Sequence, residues 1–291
     1  MSAWLRPFTL EAPKDLKSAL HFLSADPDRC RPFAGGTDLM VLLESGKLPP
    51  GRYVSLWALS ELRGITITAD HVVLGALTTY TDILSHQLLR SEFPLLCAAA
   101  RQTGGIATQN RGTLAGNIAN ASPAADSPPA LLVYDAEVEL LSTAGVRRVP
   151  YDRFHSGYKV MDLRPGEIIS RIHLPRTHSA WRQAYRKVGT RHAQAISKVC
   201  LAAAIDLDVT RTRDVRIALG SVAPMVVRCV HAEAALRGRT LDRDVALAAT
   251  KALTLDITPI DDMRSTARYR MRVAENLVVQ FLTESLSGRS D

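Results

Sequence analysis

Two adjacent glycines, Gly35 and Gly36, separate a short apolar segment from a helical pattern, and this restricts the local fold more than any other feature of the chain. The pattern predicts a strand over 31–34, a helix over 38–44 and a second strand over 53–56, which together make a small βαβ-like unit. Residues without a β-carbon tolerate positive φ and close backbone approach, so successive N–H groups can converge on a phosphate. A tight turn with Thr37 or Asp38 as helix N-cap produces the same pattern, so the motif alone leaves both interpretations open.

A second unusual segment runs from residue 104 to 129 and is rich in Gly, Asn, Ala, Ser and Pro. Arg111 and Asp126 are its only charged residues. We predict a long loop without secondary structure of its own, which lies along a polar, extended ligand. Small residues would admit the ligand, and amides and hydroxyls would fix it. A simple surface loop is the alternative.

The remaining pattern predicts an α+β protein with two domains, 1–176 and 177–291, the first divided into subdomains of about 1–57 and 58–176. A break at 175–179 is read as the linker between the domains. Helices are expected at 15–24, 81–86, 94–103, 230–237, 242–255 and 267–285. Strands are expected at 65–68, 71–77, 138–142, 147–150, 167–174, 202–209 and 215–221.

Composition excludes several classes of protein. No apolar run reaches the roughly 18 residues of a membrane span, and the first 15 residues lack the pattern of an export signal, so a cytoplasmic location is expected. The net charge is +7, but the arginines are scattered and not interleaved with aromatic residues, which disfavours a nucleic-acid partner. The four cysteines lie far apart without metal-ligand spacing, so we expect buried thiols and no metal on this chain.

The common nucleotide-binding and zinc-hydrolase motifs are absent from the sequence. Instead, the pairing of AGGTD (34–38) with RGTLAGNIANASPAADS (111–127) resembles the FAD-binding medium subunits of molybdenum hydroxylases, of the xanthine dehydrogenase and carbon monoxide dehydrogenase types. Three downstream stretches agree as well: RPGEII (164–169), YRK (185–187) and ALGSVAP (218–224). The resemblance therefore covers nearly the whole chain.

The resemblance implies a vanillyl-alcohol-oxidase or PCMH-type FAD-binding domain of two subdomains, followed by a C-terminal α+β domain with a three-stranded antiparallel sheet. FAD would lie between the subdomains, with 32–39 around its pyrophosphate, 113–117 across its other side, and Ile169 and Lys187 at the flavin end. The residues that the resemblance assigns to the FAD site are Pro32, Phe33, Ala34, Gly35, Gly36, Thr37, Asp38, Leu39, Thr103, Thr113, Leu114, Ala115, Gly116, Asn117, Asp126, Ile169 and Lys187.

The family also implies partners: a large molybdopterin-binding subunit and a small subunit with 2Fe–2S clusters, in a dimer of heterotrimers. This chain would relay electrons from the clusters through FAD to an external acceptor, without a catalytic residue of its own. Related oxidases of this fold often attach flavin through a histidine after the glycine pair. Thr37 stands there instead, so FAD is expected to be non-covalent.

The sequence departs from the family pattern in three ways. Ala115 stands where the family usually has a third glycine, and Ala107-Thr108-Gln109 replaces the usual Gln-Ile-Arg. A cysteine-bearing loop found in some relatives is missing.

A self-contained flavin reductase or oxidase is the rival interpretation, and it needs a proton donor, for which Ser221 or His192 are the candidates. An assembly scaffold without flavin is a third. The segment 154–159 is interpreted as a turn from a strand to a helix rather than an acid/base cluster, and Trp181 and Tyr185 as packing residues at the domain junction.

Overall fold

The N-terminal part of the chain forms a parallel three-stranded sheet. The computed structural model describes residues 8–191 and 194–287. Its first elements are β1 (Phe8–Glu11), α1 (Leu16–Ala25), β2 (Cys30–Phe33), α2 (Leu39–Glu44) and β3 (Gly51–Ser55). The strand order is β1-β3-β2, with both pairings parallel. The predicted βαβ unit is therefore confirmed, and its strand β2 ends one residue before the glycine pair.

An antiparallel five-stranded sheet in the order β4-β5-β10-β6-β7 forms the second unit. Both predicted hairpins are confirmed, because β4 pairs with β5 and β6 with β7. The elements are β4 (Ile65–Ile67), β5 (His71–Gly75), α3 (Tyr80–Ser85), α4 (Gln87–Glu92), α5 (Pro94–Gln102), α6 (Ile106–Arg111), α7 (Leu114–Asn120), α8 (Pro128–Val133), β6 (Glu137–Ser142), β7 (Gly145–Pro150), α9 (Tyr151–Phe154), β8 (His155–Gly157), β9 (Val160–Met161) and β10 (Ile168–Pro175).

The prediction that 104–129 lacks secondary structure was wrong. The segment contains α6 and α7 and the start of α8. Leu114 and Ile118, four residues apart on α7, are both completely buried, and burial of this face stabilises a helix whose Gly and Asn content disfavours one. The interpretation of 154–159 as a turn into a helix was also wrong, because β8 and β9 form a short hairpin there.

The C-terminal part forms a third sheet in the order β11-β12-β13-β14, backed by three helices. The expected sheet of three strands was wrong by one strand: β14 is a two-residue strand that pairs with the end of β13. Strand β11 was not predicted either, because its mixed polar sequence has no clear alternation. The elements are β11 (Arg182–Val188), β12 (Val199–Asp208), β13 (Arg211–Gly220), β14 (Val227–Arg228), α10 (Val230–Leu236), α11 (Arg243–Asp256) and α12 (Ala267–Ser287).

Strand β12 explains how the third sheet joins the rest of the molecule. Its side chains alternate between two apolar clusters, one shared with the first two sheets and one shared with α10, α11 and α12. Cys200, Ala202 and Ala204 face the first cluster, and their small size allows α8 to pack closely against the strand. All four cysteines of the chain are buried, as expected. Within residues 8–191 and 194–287, no helix is both long and apolar enough to cross a bilayer.

Candidate functional site

The turn after β2 depends on both of its glycines. Gly36 has φ of +78°, a conformation that other residues adopt only with strain. Gly35 has no room for a side chain: a β-carbon there would lie 1.7 Å from the carbonyl oxygen of Arg111 and 2.7 Å from its carbonyl carbon. The first predicted motif therefore packs directly, backbone on backbone, against the second.

A second contact joins the two motifs at Asp38. The Asn120 amide donates a hydrogen bond to Asp38 Oδ1 over 3.3 Å, and Lys159 Nζ donates to Asn120 Oδ1 over 3.1 Å. Lys159 occupies the β8–β9 hairpin with φ of +56°. The β8–β9 hairpin, which was interpreted from the sequence as a connecting turn, thus contributes a cation beside the glycine turn.

Thr113 fixes the start of α7. Its hydroxyl accepts a hydrogen bond from the N–H of Gly116 over 3.1 Å, which satisfies a free donor in the first turn. The N–H of Leu114 donates to the carbonyl of Thr78 over 2.9 Å, so the helix is also attached to the segment after β5. The side chains of Leu114 and Ala115 are buried in the core, which leaves only their backbone for contact with a ligand.

Asp126 and Lys187 form a buried ion pair with 2.6 Å between Nζ and Oδ2. Lys187 also donates to the carbonyl of Gln102, next to Thr103, over 3.0 Å. The Tyr185 hydroxyl donates to the carbonyl of Asp126 over 3.2 Å. Burial raises the pKa of Asp126 to about 6, and the nearby ammonium opposes that increase. Lys187 lies on β11, so the C-terminal sheet supplies one of the predicted site residues.

The remaining predicted residues lie around these contacts. Pro32 and Phe33 end β2, Thr37 is exposed in the turn, Leu39 begins α2, and Ile169 is a buried residue of β10. Strand β10 packs against α7, which brings Ile169 to the same region.

Tyr80 is a residue that the sequence gave no reason to select. Its ring would lie 3.0 Å from a β-carbon on Gly112, and its N–H donates to the Gly112 carbonyl over 3.3 Å. Complete burial raises the pKa of its phenol well above the usual range. Because Tyr80 packs against Gly112, which lies between Arg111 and Thr113, it supports the backbone of the second motif. A single aromatic residue at a helix start carries no sequence signal for such a role.

Two buried polar atoms among the predicted site residues have no partner within the described chain: Oδ1 of Asn117 and Oδ1 of Asp126. Buried oxygens usually accept a hydrogen bond, so each is a position where a polar ligand would be bound. Two such oxygens within the predicted site fit a polar ligand with hydrogen-bond donors, such as FAD.

Ser221 and His192 were the candidate proton donors of the rival interpretation. The Ser221 hydroxyl donates to the carbonyl of Ser197 over 3.0 Å, and His192 lies outside the described residues. Tyr185 is buried at the junction between the sheets, and Trp181 packs edge-on against His178, as expected for packing residues. A separate cleft of about 630 Å³ between α8, α10 and the end of α11 contains none of the predicted site residues.

Comparison with known proteins agrees with this geometry. Residues 6–177 match the family model described as FAD binding domain in molybdopterin dehydrogenase. The chain belongs to the FAD-binding medium-subunit family of the molybdenum hydroxylases. Residues 183–285 match a second model, the CO dehydrogenase flavoprotein C-terminal domain. The resemblance noted in the sequence is thereby confirmed, and the chain is an oxidoreductase subunit with an FAD-binding domain.

Members of this family with different reactions are similar to the chain to nearly the same degree. A putative xanthine dehydrogenase FAD-binding subunit from Escherichia coli strain K12 is 31% identical over 277 residues, covering 94% of each chain. The glyceraldehyde dehydrogenase medium chain of Sulfolobus acidocaldarius is also 31% identical, covering 95% of this chain and 98% of that one. Among solved structures, carbon monoxide dehydrogenase from Hydrogenophaga pseudoflava superposes with a TM-score of 0.92 at 28% identity, covering 97% and 98%.

Proposed function

We propose that this chain is the electron-relay subunit of a heterotrimeric molybdenum hydroxylase in the cytoplasm. Electrons from 2Fe–2S clusters of a small partner subunit would pass through a non-covalently bound FAD to an external acceptor. The observation that carries the proposal is the direct packing of Gly35 on the backbone of Arg111, which joins two turns suited to a dinucleotide. The Oδ1 atoms of Asn117 and Asp126, each buried without a partner among the described residues, support it.

The proposed FAD site is the set of residues that the sequence suggested. The turn over 32–39 would hold the pyrophosphate, and 113–117 would face it from the opposite side. The N–H groups of Leu114, Gly116 and Asn117 already donate within the chain, so the unpartnered Oδ1 of Asn117 is the contact that 113–117 would offer the cofactor. Thr37 offers only a hydroxyl, so we propose that the cofactor is held by non-covalent contacts alone.

The Lys187 ammonium is the fixed cation of the proposed site. Its bonds to Asp126 and to the carbonyl of Gln102 hold the charge in one position, so it can offset negative charge on a bound ligand without reorganising. When bound, FAD supplies a redox centre that accepts electrons singly and delivers them in pairs. The chain itself contributes orientation and electrostatics, and we assign it no catalytic residue.

The proposed domain division is 1–176 for the FAD-binding domain, with subdomains of about 1–57 and 58–176, and 177–291 for the C-terminal domain. The three larger sheets support it, since each part has its own. Lys187 lies beyond the boundary, so the C-terminal domain would complete the FAD site rather than stand apart from it.

The proposed partners are a large molybdopterin-binding subunit and a small cluster-bearing subunit, assembled as a dimer of heterotrimers. Relatives named medium chain support this, because the name implies other chains. Helix α2 offers one candidate contact: none of its residues is buried, and Met40, Val41 and Leu43 are exposed. In this proposal the hydroxylated substrate is selected on the large subunit, which fits the equal similarity to xanthine and glyceraldehyde enzymes.

An absorption spectrum of the purified chain tests the proposal first. After heat denaturation, FAD in the supernatant at about one per chain, together with co-purification of cluster-bearing and molybdenum-bearing chains, would support the relay. A yellow chain that oxidises or reduces a substrate without partners would favour the self-contained enzyme. A colourless chain that does not bind added FAD would overturn both interpretations.

A further inference from the structure

The indole of Trp57 lies under the guanidinium group of Arg111. Trp57 follows strand β3, and Arg111 is the last residue of α6. The guanidinium carbon is 3.7 Å from the centroid of the ring, close enough for a direct cation–π stack. The Arg63 guanidinium lies 4.6 Å from the same ring and donates to the Trp57 carbonyl over 2.6 Å, which fixes the indole in place.

The stack stands at the edge of the first sheet where a ligand is expected. Strands β2 and β3 are parallel neighbours, and Phe33 is paired with Ser55, so the residues after both strands lie side by side. Ligands of open parallel sheets bind outside the carboxyl ends of the strands. Arg111 touches both of these ends: its carbonyl packs against Gly35, and its side chain packs on Trp57.

Burial does not fix the position of α6. None of its residues is buried. Gln109 Nε2 donates to the Arg101 carbonyl over 3.1 Å, and the Thr81 hydroxyl donates to Asn110 Oδ1 over 2.6 Å, and both bonds tie the helix to the second subdomain. Within residues 8–191 and 194–287, the Arg111 guanidinium has no hydrogen-bond or ion-pair partner. The indole is therefore the contact through which this side chain holds α6 to the first sheet.

We propose that Trp57 and Arg111 form a positioning clamp that sets the width of the dinucleotide cleft. The stack holds the Arg111 carbonyl against Gly35, and thereby keeps the glycine turn at a fixed distance from the start of α7. A cleft that is already at its bound width does not have to be ordered when FAD binds, so the clamp increases affinity without touching the cofactor. This inference rests on the proposed function, and specifically on FAD binding at these turns.

The test measures the FAD dissociation constant of the full chain by quenching of flavin fluorescence. Trp57→Ala and Arg111→Gln are each expected to raise it about two- to fivefold, the factor to which an exposed cation–π contact of about 0.5–1 kcal/mol converts. The double variant should bind as each single variant does, because the second change has nothing left to remove. Trp57→Phe should restore most of the affinity, since its ring still accepts the cation.

Arg101→Gln is the matched control. It removes the same charge from an exposed arginine on the preceding helix, and its FAD affinity should equal that of wild type. An equal loss in Arg101→Gln and Arg111→Gln, additive losses in the double variant, or a lower melting temperature with unchanged FAD affinity would each overturn the clamp. Those outcomes leave the proposed function standing as long as wild type binds FAD, whereas a wild type that binds no FAD overturns the proposed function and the clamp together.

Discussion

Gly35→Ala is the substitution that most directly tests whether the two turns must touch. The new methyl group would lie 1.7 Å from the Arg111 carbonyl oxygen, whereas ordinary contacts of a β-carbon begin at 3.4 Å. The two segments must therefore separate by about 1.7 Å, the difference between these distances. Both partners are backbone, so no side chain can rotate away to relieve the clash.

The free-energy cost of the substitution follows from the backbone movement that the new methyl group requires. Inserting one methyl group into packed structure costs about 1–3 kcal/mol when the backbone has to move. If this free energy destabilises the FAD-bound conformation relative to the free protein, the dissociation constant for FAD rises about 5- to 150-fold, since each 1.4 kcal/mol is about a factor of ten. Purified Gly35→Ala is therefore expected to carry much less FAD than wild type, although its core remains intact.

The assay compares FAD released per chain and the FAD dissociation constant in Gly35→Ala, Gly157→Ala and wild type. Gly157 is the matched control, because a β-carbon there meets only Val160 at an ordinary 3.8 Å. If Gly35→Ala binds FAD within about twofold of both other proteins, the contact between the turns does not shape the cofactor site, and the reasoning is wrong.

Substitutions at four further positions test the surrounding framework. Thr113→Val removes the N-cap of α7 and should lower stability by about 0.5–2 kcal/mol in urea unfolding, while Thr113→Ser should not. Asp126→Asn tests whether the pKa of Asp126 is raised to about 6 in the folded protein. The folded form keeps a proton that the unfolded chain loses above the ordinary pKa of 3.8. The stabilisation that this group gives at low pH is therefore lost as pH rises through about 6. The unfolding free energy lost in Asp126→Asn should hence be smaller at pH 7 than at pH 4, and an equal loss at both would contradict the shift. Lys187→Met leaves that carboxyl group buried without its cation, and a loss of about 3–5 kcal/mol is expected in the same measurement at pH 7. Tyr134→Phe removes a hydroxyl that accepts from a backbone N–H and donates to Gln183 across the junction, and calorimetry should show a loss of about 1–3 kcal/mol.

The local features of this protein were predictable from its sequence. Apolar spacing and turn residues predicted the strand, glycine turn, helix and strand around Gly35, both hairpins of the second sheet, and the three C-terminal helices. These elements are encoded locally, because the side-chain period and the conformational freedom of glycine act within a few residues. The resemblance of the two motifs added the family, which the comparisons confirm.

Only the tertiary structure decided how the segments meet. Helix α7 formed where composition predicted a loop, because burial of Leu114 and Ile118 outweighs weak helix propensity. Strand β11 forms because β12 pairs with it along its whole length. Strand β11 in turn places Lys187 beside Asp126. The packing of Gly35 on Arg111, and of Arg111 on Trp57, joins residues far apart in sequence. No local sequence pattern predicts such contacts, since they arise only when separate sheets and helices pack against one another.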